Sequence, residues 1–392
     1  MDNNKLKIGL FIDTFFPMVD GVINVVDNYA RILSKSHDVT VFTSKTRKKG
    51  FNDSSLPYKV VRSNCLPLFF LDYDMPTPKF SKKFKQELKD NKFDIIHIHS
   101  PFGIGKMGIK YAKKNNIPVI ATLHSQFYKD FLRESHSKLI AKFMLNNVVK
   151  TFDKCDECFA VNENVANIYY NEYGLKTKPS VLKNGTDFLP VEDFNISELK
   201  QEFNILEDEK VFLFVGRINY LKNIDFIARS LKILKEKNFK FKMLFVGSGQ
   251  DEDRFKRYIS FLNLDNEVIL TGKITDRKKL SQIYKMANLF LFPSLYDCNS
   301  LVQIEAASQS TPTLFLEGSA TACSINDNIN GYLSKNSEED YANKIFEIFN
   351  DTQKYNEVCK NAFNDLYISW GDAIKNAIEE YKKKITNKKD AK

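Results

Sequence analysis

Cysteine is scarce, six residues in 392. That is too few for a disulfide-stapled secreted scaffold, so a reducing compartment is expected. Glycine (15) and proline (11) are also few, which excludes collagen-like and linker-like stretches. No window holds 18 uninterrupted apolar residues, so no segment reads as a membrane span. The start, Met1 to Lys5, leads into a strand-like apolar run with no small-residue cleavage site and does not read as a signal peptide. The expectation is a cytoplasmic protein, at most peripheral on the inner face of the cell membrane. The net charge, +9, is modest for this length, and no nucleic-acid motif accompanies it. A nucleic-acid partner is therefore not expected.

The chain is 43% hydrophobic and 27% charged, an ordinary globular balance. At ~100–200 residues per domain, its length suits two domains. The charge is uneven. Residues 1–187 hold 29 basic and 19 acidic side chains, net +10, against 29 and 30 in the remainder, net −1. From Lys382 onward there are six lysines and one aspartate. A basic first half and tail attract phosphates, in an anionic membrane or a charged ligand.

Short continuous apolar runs alternate with helix-period stretches. Leu6–Ile12, Val39–Thr43, Ile95–His99 and Val119–Leu123 read as strands, with helices between them. The pattern restarts at Val211–Val215 and continues through Met243–Val246, Val268–Leu270, Leu289–Phe292 and Thr313–Leu316. Continuous hydrophobicity marks strands buried on both faces, and β-α-β order makes the sheets parallel. The expected fold class is α/β, two doubly wound domains joined between Asn184 and Phe203. Ligands of such sheets bind at the carboxyl ends of the strands, so the loops there carry the interest.

After the first strand, Gly21 precedes a helix, where backbone N–H groups can approach an anion; an ordinary strand-to-helix turn has the same sequence. After Val211–Val215 come Gly216, Arg217 and Lys222, a guanidinium fork and a compact charge in the gap where a diphosphate would sit. Gly247 and Gly249 follow the next strand and permit close approach of a ligand, although the third glycine of a dinucleotide fingerprint is missing. The segment after Leu289–Phe292 places Asp297 in a loop and Glu305 eight residues on, in a helix. Between them Asn299, Ser300 and Leu301 put free N–H groups at the helix start. One carboxylate would take sugar hydroxyls, the deeper one ribose.

This arrangement resembles the retaining glycosyltransferases of family 4, which have the GT-B fold of two facing Rossmann-like domains and a C-terminal helix crossing back to the first. The residues carrying the likeness are Phe292-Pro293-Ser294, Leu301-Val302 and Glu305-Ala306, with Gly216-Arg217, Lys222, Gly247-Ser248-Gly249, Leu270-Thr271-Gly272-Lys273, Asn184-Gly185, Asp94 to His99 and Thr122 to Ser125. They run in order along nearly the whole chain. The resemblance implies an acceptor domain over 1–187, a nucleotide-sugar domain over 188–363, and a crossover helix with a basic tail over 364–392. It implies that Arg217 and Lys222 hold the donor diphosphate and that Asp297 binds the sugar. Glu305 would bind ribose, and Gly272, Lys273 and Ile274 frame the base. Asn299, Ser300, Leu301 and Val302 would offer N–H groups, Gly21 would close over the diphosphate, and His124 would sit near the transferred sugar. It further implies a UDP-hexose donor such as UDP-glucose, a membrane-associated glycolipid or lipid-linked glycan acceptor, and no metal or other cofactor. The rival reading is a non-catalytic GT-B accessory protein.

Two positions depart from the family pattern. Its first Glu is Asp297, one methylene shorter, and its usual Gly is Ser300, where the backbone is less permissive. Two aromatic-basic segments, 67–73 and Phe127–Met144, suit a lipid-linked acceptor. His97 and His99 share a strand face without a third metal ligand, and the single Cys155-Asp156-Glu157-Cys158 motif reads as structural thiols. Trp370 is expected to anchor the C-terminal helix.

Overall fold

The computed structural model describes residues 5–390 except Val19, 48–49, 68–73, Asp193 and 298–299. The chain divides into two compact units, one of Met1–Asn184 with Trp370–Lys392, the other of Gly185–Ser369. The cut placed at 363 by sequence falls inside a helix, Thr352–Leu366, and the second unit runs on to Ser369.

The first unit is built on a seven-stranded parallel sheet of β1 (Lys7–Phe11), β2 (Asp38–Ser44), β3 (Lys59–Ser63), β4 (Ile95–Ile98), β5 (Val119–Leu123), β6 (Glu157–Ala160) and β7 (Ser180–Val181). Their spatial order is β3-β2-β1-β4-β5-β6-β7. The order reverses beside β1, the switch point at which doubly wound sheets open a crevice. The second unit repeats the plan with β8 (Lys210–Val215), β9 (Phe241–Val246), β10 (Val268–Gly272), β11 (Leu289–Leu291), β12 (Thr313–Leu316) and β13 (Tyr332–Ser334), in the order β10-β9-β8-β11-β12-β13. Its switch point lies beside β8. Leu213, Phe214, Phe245 and Phe290 are fully buried, the double-faced burial their apolar runs require.

The helices that matter for the site are α1 (Gly21–Leu33), α2 (Gly103–Lys114), α3 (Phe127–Ser135), α4 (Lys138–Phe152), α5 (Leu301–Ser308) and α6 (Trp370–Asp390). Asp20 caps α1 by accepting from the Ile23 N–H at 2.8 Å. Helix α6 returns to the first unit and packs on α1, where the Trp370 ring meets Tyr29 edge-on at 6.2 Å. The lysine-rich end is not a free tail. It is the last turns of α6, and Lys384 and Lys388 pair with Glu157 and Asp156 of the first unit, while Lys383 pairs with Glu380. These three pairings occupy half of the six tail lysines that the sequence reading gave to phosphates or an anionic membrane.

Candidate functional site

In the second unit, Arg217 follows β8. It is exposed, and no ion-pair partner for it is found among the described residues. Lys222 ends a short 3-10 turn, Tyr220–Lys222, before Asn223 turns left-handed (φ 60°) into the next helix. The Lys222 ammonium pairs with the Asp297 carboxylate, 75 positions along the chain. The other Asp297 oxygen, Oδ2, is buried and without a partner among the described residues. Sequence separated these side chains into a phosphate ligand and a sugar ligand. The fold brings them together, so an incoming anion and a sugar hydroxyl would each replace part of one existing contact.

Ser300 caps α5, its Oγ accepting from the Gln303 N–H at 3.2 Å. Its φ of −109° is open to any residue, so the family glycine is not required here and the expected loss of backbone freedom does not arise. The N–H groups of Leu301 and Val302 open the helix without intrahelical partners. Asn299 lies outside the described residues.

Glu305 sits one turn further along α5. Its Oε2 accepts from the Tyr284 hydroxyl at 2.9 Å, and Arg277 approaches Oε1 at 3.5 Å. Arg277 also pairs with Asp187 and lies over the Phe188 ring at 3.8 Å. Burial pushes the Glu305 carboxyl up to about 7, despite Arg277 and Tyr284, which pull the other way. Sequence reasoning missed Arg277 and Tyr284. Each is one polar side chain on an otherwise ordinary amphipathic helix, and only the approach of that helix to α5 distinguishes them.

The glycines separate into two kinds. A Cβ on Gly247 would lie 1.8 Å from the Gly216 carbonyl oxygen, and one on Gly249 would lie 2.1 Å from that of Ile218. These two glycines are needed by the adjacent protein backbone, whether or not a ligand also approaches them. Gly216 itself packs on the Phe214 ring. Gly272 has φ +70° with open space at its Cβ position, ahead of exposed Lys273 and half-buried Ile274.

In the first unit, a Cβ on Gly21 would meet nothing within 4 Å and its φ lies outside the left-handed region. Gly21→Ala is therefore expected to melt with wild-type midpoint yet lose roughly tenfold or more in turnover if a diphosphate lies against this backbone. Equal turnover would remove Gly21 from the site. The loop before it is held by Asp13, which the sequence reading passed over. Its carboxylate accepts from the Ile104 N–H at 2.7 Å, the Phe102 N–H at 3.2 Å and the Ser100 hydroxyl. The α2 N-terminus is thus occupied by the protein's own carboxylate.

Buried His97 and His99 and partly buried His124 form one group at the ends of β4 and β5. His97 bonds Tyr381 of α6 and Thr122, each at 2.7 Å. His99 Nδ1 lies 3.1 Å from His124 Nε2. Burial drives His97 and His124 down to about 3 and His99 well below its ordinary value, so all three are neutral at physiological pH. Among the described residues, no group of three or more His, Cys, Asp or Glu side chains, these histidines included, is placed so that it could hold a metal ion. Cys155 and Cys158 are free, and a hydrogen bond between them and burial hold the Cys155 thiol well above its usual range.

Two family models match in sequence order, Glycosyltransferase Family 4 over residues 19–188 and Glycosyl transferases group 1 over 195–365. The alpha-monoglucosyldiacylglycerol synthase of Streptococcus pneumoniae is 30% identical over 362 residues, spanning 90% of this chain and 80% of its own length. The chain is a family 4 glycosyltransferase. Another relative, the UDP-Gal:alpha-D-GlcNAc-diphosphoundecaprenol alpha-1,3-galactosyltransferase of Escherichia coli, is 27% identical and spans 71% of this chain and 72% of its own. In fold, the enzyme matches Anabaena HepE, solved with UDP, at a TM-score of 0.76 and 16% identity, over 96% of this chain and 100% of that one. The glycosyltransferase thus has the GT-B fold, and its two Rossmann-like units correspond to the two family models.

Proposed function

We propose that this glycosyltransferase moves a hexose from a UDP-sugar such as UDP-glucose to a glycolipid or lipid-linked glycan at an anionic membrane face, with retention of configuration and without a metal. The observation that carries the reading is the set of donors in the second unit. Arg217, with no ion-pair partner among the described residues, Lys222, paired with Asp297, and the open N–H groups of Leu301 and Val302 at the start of α5 all follow the carboxyl ends of β8 and β11. Such fixed donors stabilise the charge that grows on a departing diphosphate. Asp297 Oδ2 and Glu305 supply acceptors for sugar and ribose hydroxyls. In front-face attack the leaving diphosphate itself takes the acceptor proton, so no glycosidase-like carboxylate pair is needed. HepE binds UDP in its solved complex, and the two relatives above are named for a diacylglycerol and an undecaprenol acceptor. A panel of nucleotide sugars, run with and without EDTA, tests the reading. UDP-hexose binding and slow hydrolysis that survive EDTA are expected; no response to any nucleotide sugar would favour an accessory protein.

The membrane part of the proposal rests on α4. Its inner face buries Ala141, Leu145, Val148 and Val149. Its outer face is apolar too: Leu139 is 83% and Phe143 70% exposed, beside exposed Ile140 and Met144. Lys138 and Lys142 flank them, with no ion-pair partner found among the described residues. An exposed apolar patch rimmed by cations fits an anionic bilayer. No helix among the described residues is long and apolar enough to cross one. Leu139→Glu with Phe143→Glu is expected to weaken binding to phosphatidylglycerol vesicles by roughly tenfold or more, read by co-sedimentation. Unchanged binding would move the contact elsewhere on the unit.

A further inference from the structure

We propose that His99 is a positioning residue that fixes the tautomer of His124, so that His124 presents an N–H donor from Nδ1 and does not act as a base. The inference rests on the proposed place of His124 beside the transferred sugar, and it adds which way the imidazole's proton faces.

The geometry leaves few options. His99 Nδ1 and His124 Nε2 are 3.1 Å apart, and the two ring planes are inclined by only 22°, so the bond joins two nearly parallel rings. One nitrogen donates and the other accepts. The remaining ring nitrogen of His99, Nε2, is buried with no partner among the described residues. A neutral imidazole carries one proton. Placed on Nε2, it would be an orphaned buried donor, the rarer and costlier arrangement; placed on Nδ1, it is used. His99 therefore donates from Nδ1. His124 Nε2 must accept, and the His124 proton resides on Nδ1. No protein partner for that N–H is found among the described residues, and it is not among the buried unpartnered atoms, so it faces open space. A donor there suits a sugar hydroxyl or carbonyl oxygen as acceptor.

Turning the His99 ring over would put Cδ2 in place of Nδ1 and lose the bond to His124. The His97 ring lies 4.0 Å away on one side, and Tyr29 meets both rings edge-on at 5.7 Å. His97 is held in turn at both nitrogens, by Thr122 and by Tyr381 of α6. The C-terminal helix thus takes part in holding His97 against His99 through Tyr381.

The test is the histidine region of a long-range nitrogen–proton NMR spectrum of the full-length protein at pH 7.5. His124 is expected as the Nδ1–H tautomer and His99 likewise. An Nε2–H His124 overturns the proposal. This readout requires neither donor nor activity, so it stays distinct from failure of the proposed reaction. Kinetics supply the second arm. In His99→Asn the amide nitrogen stands where Nδ1 was and keeps a donor; His99→Leu has none. His99→Leu is expected to lose about tenfold in kcat with little change in donor KM, and His99→Asn to recover most of it. Equal losses in both variants, or a loss confined to thermal stability, would reduce His99 to a packing role and overturn the proposal.

Discussion

Arg217→Ala is expected to lower turnover about 10²–10³-fold while leaving the thermal midpoint where it was. The two halves of this result have separate causes. Arg217 is exposed and has no ion-pair partner among the described residues, so its removal breaks no contact of the folded chain and leaves no buried charge behind. What it does remove is a guanidinium at the end of β8, where in the proposed reaction the departing diphosphate would gain charge. Arg217→Lys should restore only part of the loss, because an ammonium supplies the charge without the two-pronged donor geometry. Single-turnover rates at saturating donor check it. Near-normal turnover in Arg217→Ala would detach the diphosphate from this loop.

Glu305→Gln is expected to move stability and donor binding in opposite directions. The wild-type carboxyl titrates at about 7 in the folded protein and near its ordinary 4.5 when unfolded. Between those values the native state holds the extra proton, so wild-type stability falls as pH rises from about 4.5 to about 7 and stays lowered above. Gln cannot ionise and escapes that penalty. At pH 8 the variant should be more stable by about 1–3 kcal/mol, and the difference should vanish near pH 4.5. Denaturant midpoints at the two pH values measure this. Donor affinity should instead drop about 10²-fold, since a carboxylate accepts two ribose hydroxyls through charge-assisted bonds and the amide cannot. Wild-type donor affinity should weaken as pH falls through about 7, a dependence the variant loses. A purely structural Glu305 would show no drop in donor affinity.

Much of this was legible in the chain. The strand runs are apolar throughout, because both faces of a parallel strand are covered, and that is visible without coordinates. Val211–Val215 and Leu289–Phe292 therefore announced where loops at the carboxyl ends begin, and Arg217, Lys222, Asp297 and Glu305 follow them at short range. The glycines were less legible. Gly21 and Gly247 look alike in sequence, yet one has open space at its Cβ position and the other a carbonyl oxygen at 1.8 Å. Asp13 resembles any loop aspartate until α2 brings the Ile104 N–H, 91 residues away, to within 2.7 Å.

By itself the sequence determined two parallel-sheet domains, their order, the family and the loops in which the proposed donor machinery lies, since each depends on local periodicity or on residues close together in the chain. Only the tertiary structure decided pairings across long separations: Lys222 with Asp297, Glu305 with Arg277 and Tyr284, His99 with His124. It also decided that the lysine-rich end is a packed helix in which Lys383, Lys384 and Lys388 are ion-paired, which leaves the membrane proposal on α4, within the Phe127–Met144 segment the sequence had already marked. The physical reason is the same throughout. Composition records how many charges and hydrogen-bonding groups a chain carries, but whether each is spent on the protein or left for a ligand depends on what the fold brings within 3–4 Å of it.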